Sequence, residues 1–228
     1  MLILSCDTSG TTASAALTEN GLVLKEELLQ QGLVHSVSFA PMIQRLLTDC
    51  EKTPAQIDLY AAVVGPGSFT GLRIGLATFQ AMASTYAKPC CGVSSLAAMA
   101  ANVKENVFVL TVLDARAGRV YAALFDREKR IAEDQVIPLE KLEELLVANG
   151  LQGKELLLLG NGAELCLPYA EKICRVRCAD AQSAVIRASA VARLADPSSA
   201  VEARALQPLY MTLPQAEREL LARLEKTQ

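Results

Sequence analysis

The chain has 228 residues, 51% hydrophobic and 21% charged, with a formal net charge of −3 and a sequence pI near 5.4. That fits a globular protein of one large domain or two small ones sharing a core, and no apolar run reaches the ~18 residues of a membrane helix. The acidic balance argues against a protein that holds RNA alone, which needs cationic surface to neutralise phosphates, and a single histidine, His35, excludes a multi-histidine metal centre.

The chain opens as Met1-Leu2-Ile3-Leu4-Ser5-Cys6-Asp7. It has no basic segment ahead of the apolar run and an early acid, so we expect no signal peptide and a cytoplasmic location. The seven cysteines (6, 50, 90, 91, 166, 174 and 178) include no C-x-x-C pair. An odd count without disulfide spacing points to reduced thiols. Cys174 and Cys178 have the spacing of half a metal site, but they stand on a strand-like segment with no second half, so buried free cysteines are the expectation.

The first strand covers Leu2–Cys6 and ends at Asp7; a turn rich in Thr, Ser and Gly leads to a second, Ala13–Leu17. Asn20-Gly21 is a strong hairpin signal and brings in a third strand, Leu22–Glu26. A helix over roughly 36–50 follows, with Pro41 either starting it near Ser38 or kinking it. Next come an apolar strand, Leu59–Val64 ending in Gly65, and a helix over roughly 70–86. The polar run 102–106 marks a boundary.

Beyond it the order repeats. Val107–Leu113 ends at Asp114, Val120–Phe125 follows, and a charged turn leads to Arg130-Ile131-Ala132. Asp7 and Asp114 lie 107 residues apart, and this offset aligns Ala15-Ala16-Leu17 with Ala122-Ala123-Leu124. A helix over 138–149 follows, opened by Pro138 and closed by Asn149-Gly150, with Leu142, Leu145 and Leu146 as its buried stripe. Then come a strand, Glu155–Leu159 with Gly160, and a helix over 162–172. Two β-meanders, each followed by α-β-α, predict two lobes with a cleft between them, 1–103 and 104–228. This is the α/β layout of the actin, hexokinase and sugar-kinase (ASKHA) group. Ser183 is the expected cap of a further helix ending at Asp196-Pro197, and an amphipathic stretch, 217–226, closes the chain.

The most informative segment is Gly65-Pro66-Gly67-Ser68-Phe69-Thr70-Gly71-Leu72-Arg73-Ile74-Gly75, a tight turn into a helix capped by Ser68 or Thr70. Such a turn favours anions, but it lacks the lysine of a phosphate-binding P-loop, and Thr70 replaces the third glycine of a dinucleotide fingerprint. Gly71 and Gly75, with Thr78 beyond, leave one helix face nearly bare, so another element can approach closely. Arg73 in the first turn opposes the helix dipole, which calls for a carboxylate or carbonyl partner. A plain packing helix with a snorkelling arginine accounts for the same pattern.

This segment resembles the signature of the TsaB (YeaZ) family. So do Asp7-Thr8-Ser9, His35-Ser36 with Pro41, Gly92-Val93-Ser94-Ser95-Leu96, and Leu113-Asp114-Ala115-Arg116 before Val120-Tyr121. The likeness spans residues 2 to about 125 and is weak beyond. It implies a non-catalytic partner of the paralogous TsaD, which transfers a threonylcarbamoyl group to position 37 of tRNA from a paired-histidine metal site. This chain, with one histidine, has no such pair.

Folds of this group hold phosphates in two Asp-x-Gly loops. Here they read Asp7-Thr8-Ser9-Gly10 and Asp114-Ala115-Arg116-Ala117-Gly118, and the adenosine-type loop Gly160-Asn161-Gly162 is reduced. Asp7, Ser9, Gly67 and Asp114 are therefore expected to be vestigial, the aspartates capping their own turns, with no intrinsic cofactor and ATP or its products held by partner subunits. The resemblance also implies that the first two helices bind TsaD: Phe39, Met42, Ile43, Leu46 and Leu47 from one, Gly71, Arg73, Ile74, Gly75, Ala77, Thr78 and Ala81 from the other. Further implications are a homodimer in isolation, a TsaE-type ATPase in a larger complex, tRNA contacted mainly through that complex, and no membrane. A sugar-kinase-type phosphotransferase and a glycopeptidase-like hydrolase are the alternatives.

Overall fold

A computed structural model describes residues 1–29, 35–127, 129–180 and 182–212, without the His35 side chain. The amphipathic tail expected over 217–226 lies outside the described residues. Strand β1 (Leu2–Asp7) is buried throughout because it lies between β2 (Ala13–Glu19) and β4 (Leu59–Gly65). Its alternation sends Leu4 and Cys6 to one core and Ile3 to another. Asn20 and Gly21 turn β2 into β3 (Leu22–Leu29) with φ of 51° and 82°, the left-handed pair that a two-residue hairpin requires.

Helix α1 (His35–Asp49) runs through Pro41 rather than starting at Ser38. Pro41 has no N–H to offer the Val37 carbonyl, but Val37 is exposed, so that carbonyl is not buried without a partner. After β4 come α2 (Phe69–Thr85), β5 (Pro89–Ser94) and the short α3 (Ser95–Ala100). The second half repeats the plan: β6 (Phe108–Arg116), β7 (Arg119–Asp126), β8 (Lys129–Pro138), α4 (Leu142–Ala148), β9 (Glu155–Leu159), α5 (Ala163–Ala170) and β10 (Arg175–Cys178). One sheet runs β5-β4-β1-β2-β3 and the other β10-β9-β6-β7-β8, with the same parallel and antiparallel pairings. The duplication read from two short motifs is thus a duplication of whole sheets.

The C-terminal part departs from a simple split at 103/104. Helix α6 (Ala188–Leu194) packs on β1 and β2, and β11 (Val201–Glu202) pairs with β5, so the chain returns to the first sheet. Small residues make room for it: Ser5 donates to the Ala188 carbonyl at 2.6 Å and Ser14 to the Ile186 carbonyl at 2.9 Å. The helix starts later than Ser183. That residue's N–H is held in a turn by Asp180 at 2.7 Å, while Glu26 of β3 accepts from the Ser189 N–H at 2.9 Å and pairs with Arg187 at 2.6 Å. A carboxylate at a helix N-terminus is favourable, so the tertiary partner sets the start.

Three apolar clusters result: one under α1 and α2, one under α4 and α5, and one between the sheets. The middle cluster joins Ile3, Leu59 and Val63 to Val109, Phe125 and Leu159 through Leu96 and Met99 of α3 and Val191 of α6. Among the described residues, no helix is long and apolar enough to cross a membrane.

Because Leu96 is fully buried between the lobes, Leu96→Ala should cost about 2–5 kcal/mol. The shared core also predicts one urea transition, coincident by circular dichroism and tyrosine fluorescence; two separated transitions would contradict it. Burial pushes the Cys90 thiol up to about 11 and the Cys166 thiol up to about 12, from 9.0. Their contribution to stability is complete below the unfolded thiol value and is lost as pH rises toward the folded values. The urea midpoint should therefore fall between pH 8.5 and 10.5 (roughly the window of a free thiol), and fall less in Cys90→Ala/Cys166→Ala.

Candidate functional site

The glycine segment links β4 to α2. Ser68 caps the helix, its Oγ accepting from the Gly71 N–H at 3.2 Å, and its own N–H donates to the Ser9 carbonyl at 2.7 Å. A Cβ on Gly67 would lie 2.7 Å from both the Cβ and the carbonyl oxygen of Ser9. A Cβ on Gly71 would overlap the Thr8 carbonyl oxygen, and one on Gly75 the Thr8 hydroxyl. That hydroxyl donates to the Gly71 carbonyl at 2.8 Å. The bare helix face is used inside the lobe: it lets α2 lie directly against the loop after β1.

The two aspartates do the same local job. Asp7 Oδ1 accepts from the Ser9 N–H at 2.9 Å, and Asp114 Oδ1 accepts from the Arg116 N–H at 2.7 Å. Asp114 also pairs with the Arg116 guanidinium at 3.2 Å, and its N–H donates to Asn161 Oδ1 at 2.9 Å. Gly65 ends β4 and Gly160 directly follows β9, with φ of 131° and 118°, so Gly65-Pro66-Gly67 and Gly160-Asn161-Gly162 are counterparts in the two lobes. Between the lobes lies a cleft of about 960 Å³. Its walls carry Asp7, Asp114, Glu164 and Asp180, and the one cation among the described lining residues is Arg116, already paired with Asp114. Such a wall repels a polyphosphate that brings no cation with it.

Residues 206–212 run across this cleft. Gln80 of α2 donates to the Leu206 carbonyl at 2.7 Å, and the Leu209 N–H donates to the Val64 carbonyl at 2.8 Å. The Tyr210 ring stacks on Phe69 at 4.6 Å and 24°, and Arg73 Nε donates to Tyr210 Oη at 2.9 Å. The Arg73 guanidinium also lies 3.9 Å from the Phe69 centroid. The arginine thus finds an aromatic cage where the sequence called for a carboxylate or carbonyl. Across the cleft, the Thr212 and Tyr121 hydroxyls are 2.6 Å apart.

The residues expected at a partner face divide sharply. Phe39, Met42, Ile43, Leu46 and Leu47 are at most 5% exposed, packed against Leu4, Tyr60 and Phe79 in the lobe's own core. The expectation that they face outward is corrected: one sheet face and two helices consume that whole stripe. Gly71 and Gly75 are buried against Thr8, also facing inward. Arg73, Ala77 and Ala81 are exposed and Ile74 and Thr78 half-buried, which leaves a narrow stripe along the outer side of α2. Sequence reasoning missed Tyr210 and the seat it occupies, because Pro208-Leu209-Tyr210 has no periodicity to mark it. Cys174 is buried with its thiol on the Leu151 carbonyl at 3.3 Å, while Cys178 is exposed. Among the described residues, no three His, Cys, Asp or Glu side chains cluster as metal ligands would.

A family model described as TsaD, tRNA N6-adenosine threonylcarbamoyltransferase, matches residues 30–223. The tRNA threonylcarbamoyladenosine biosynthesis protein TsaB of Bacillus subtilis is 31% identical over 225 residues, covering 95% of this chain and 96% of that protein. A Pseudomonas aeruginosa crystal structure, described as similar to peptidase YEAZ, superposes with a TM-score of 0.75 at 25% identity, covering 92% of this chain and 99% of that one. The ROK hexokinase of Thermus thermophilus gives a TM-score of 0.50 at 12% identity, covering 86% of this chain and 98% of that one, a likeness of fold alone. The architecture is therefore the two-lobed ASKHA-like one.

Alanine normally stabilises a helix by about 1 kcal/mol over glycine. At Gly71 the sign should reverse, because a backbone oxygen cannot move aside: Gly71→Ala should cost about 1–3 kcal/mol by urea denaturation. Gly75→Ala meets only a hydroxyl and should cost less, with part recovered by Thr8→Ala. Neutral values at both glycines would refute the close approach.

Proposed function

Because this chain belongs to the TsaB family, whose named relatives act in tRNA threonylcarbamoyladenosine biosynthesis, we propose that it is the non-catalytic subunit that binds and activates a TsaD-type partner. The observation that carries this reading is the outer stripe of α2. Ala77 and Ala81 are small and exposed beside Arg73, with half-buried Ile74 and Thr78 completing a surface on which a second helix packs closely. Of the α1 residues expected to contribute, the apolar ones lie in the core, so α1 supports the face from behind and adds Ala40, Pro41 and Gln44 at its exposed edge.

The cleft supports the non-catalytic part of the reading. Both loop aspartates are engaged in capping their own turns, Arg116 stands where a phosphate loop has glycine, and the walls are acidic. Nucleotide chemistry then belongs to other subunits: ATP or its products on the partner side, a TsaE-type ATPase in the larger assembly, and tRNA held mainly by the complex. In isolation the α2 stripe pairs with a second copy of the chain, in the cytoplasm.

Light scattering coupled to size exclusion tests this on the chain alone and mixed with TsaD from the same source. A self-dimer that converts to a stable heterodimer is expected. Ala77→Arg should weaken the heterodimer tenfold or more, about 1.4 kcal/mol, with folding unchanged because the position is exposed. Unchanged elution of both proteins, with ATP turnover by this chain alone, would sink the reading.

A further inference from the structure

The stretch over residues 206–212 has one end on α2 and the other on β7, and between them it forms part of the cleft wall through Leu209, Tyr210, Met211 and Thr212. We propose that it is a strap coupling the outer face of α2 to the interlobe cleft, with Arg73 and Tyr210 as the joint. Arg73 belongs to the exposed stripe by its position on the helix, yet its side chain leaves the stripe to hold Tyr210. Phe69, the third member of the stack, lines the cleft beside Tyr210. A carboxylate presented to the stripe competes for the same guanidinium. It draws Arg73 away from the Tyr210 hydroxyl and the Phe69 ring together.

The seat is shaped for the strap. A Cβ on Gly65 would lie 2.7 Å from the Leu209 carbonyl oxygen. The backbone from Leu206 to Thr212 belongs to no helix or strand; beyond the buried Leu206 it is held by the Leu209 N–H on the Val64 carbonyl and by a handful of side-chain contacts. Segments held this way open locally at far lower free energy than core strands, and losing one contact shifts their opening measurably. Coupling of this kind runs both ways: whatever displaces Tyr210 from the cleft side releases Arg73 onto the stripe.

The inference rests on the partner reading only for what occupies the stripe; the joint is tested on the full chain without a partner. Amide hydrogen exchange over 205–212 is compared for wild type, Arg73→Ala, Tyr210→Phe and Tyr121→Phe, with Ala77→Gln as a control on the same stripe. Arg73→Ala should speed exchange about tenfold at the Leu209 amide, whose N–H is held by the Val64 carbonyl. Tyr210→Phe should give part of that effect, Tyr121→Phe should act from the far end, and Ala77→Gln should leave exchange unchanged. If Arg73→Ala also exposes the β1 amides, Tyr210→Phe, which removes a single hydroxyl, decides. Exchange within twofold of wild type in both Arg73→Ala and Tyr210→Phe overturns the strap, even where chromatography shows a partner bound. The tenfold change in a chain that binds no partner upholds the joint and removes only the occupant.

Discussion

Much of this structure depends on one steric condition: α2 must lie against the loop after β1 with no side chain between them. Gly67, Gly71 and Gly75 supply that condition, and Thr8 and Ser9 fill the space that their missing Cβ atoms leave. Once α2 is seated, its opposite side is fixed as the outer stripe, Ser68 is fixed as its cap, and Phe69 points to the cleft. The segment has the look of an anion-binding turn, yet two of its hydrogen-bond donors are turned to the chain itself: the Ser68 N–H to Ser9 and the Gly71 N–H to Ser68. A motif of this kind informs by what it permits to approach, which here is the protein's own backbone.

The duplication explains why the two sides of the cleft are built alike. Each lobe retains an aspartate capping the turn after its first strand, and each retains a Gly-x-Gly turn with the first glycine at high positive φ. These features stabilise the lobes whether or not a ligand is present, since they satisfy backbone donors and relieve steric overlap. The charge of the walls is under no such constraint. Among the described lining residues, four carboxylates face one paired arginine, so the walls are acidic.

What the sequence disclosed follows the same division between local and distant causes. The Asn20-Gly21 hairpin, the Leu59–Val64 strand with its glycine, and the two aligned meanders were legible because local chemistry alone sets them. Strand β5 was hidden by Pro89 and Gly92, and α3 by its six-residue length, too short for periodicity to register. The start of α6 depends on Glu26, far away in sequence, which no window around Ser183 contains. The α1 stripe misled for a different reason. Five large side chains read as more than one core needs, but small residues on the facing strands, Ala13, Ala15 and Ala62, leave a core deep enough to take them all.

The layer between the sheets has a consequence for association. Two lobes that swing against one another need an interface that slides. Here α3 and α6 are packed between both sheets with Leu96, Met99 and Val191 nearly inaccessible, so separating the lobes would bring an apolar layer into water. The shared layer ties the two lobes into one packed block and opposes such a swing. A block that is already ordered loses little conformational entropy when another protein docks on it. For these two lobes the ordering belongs to folding, when the layer between the sheets forms.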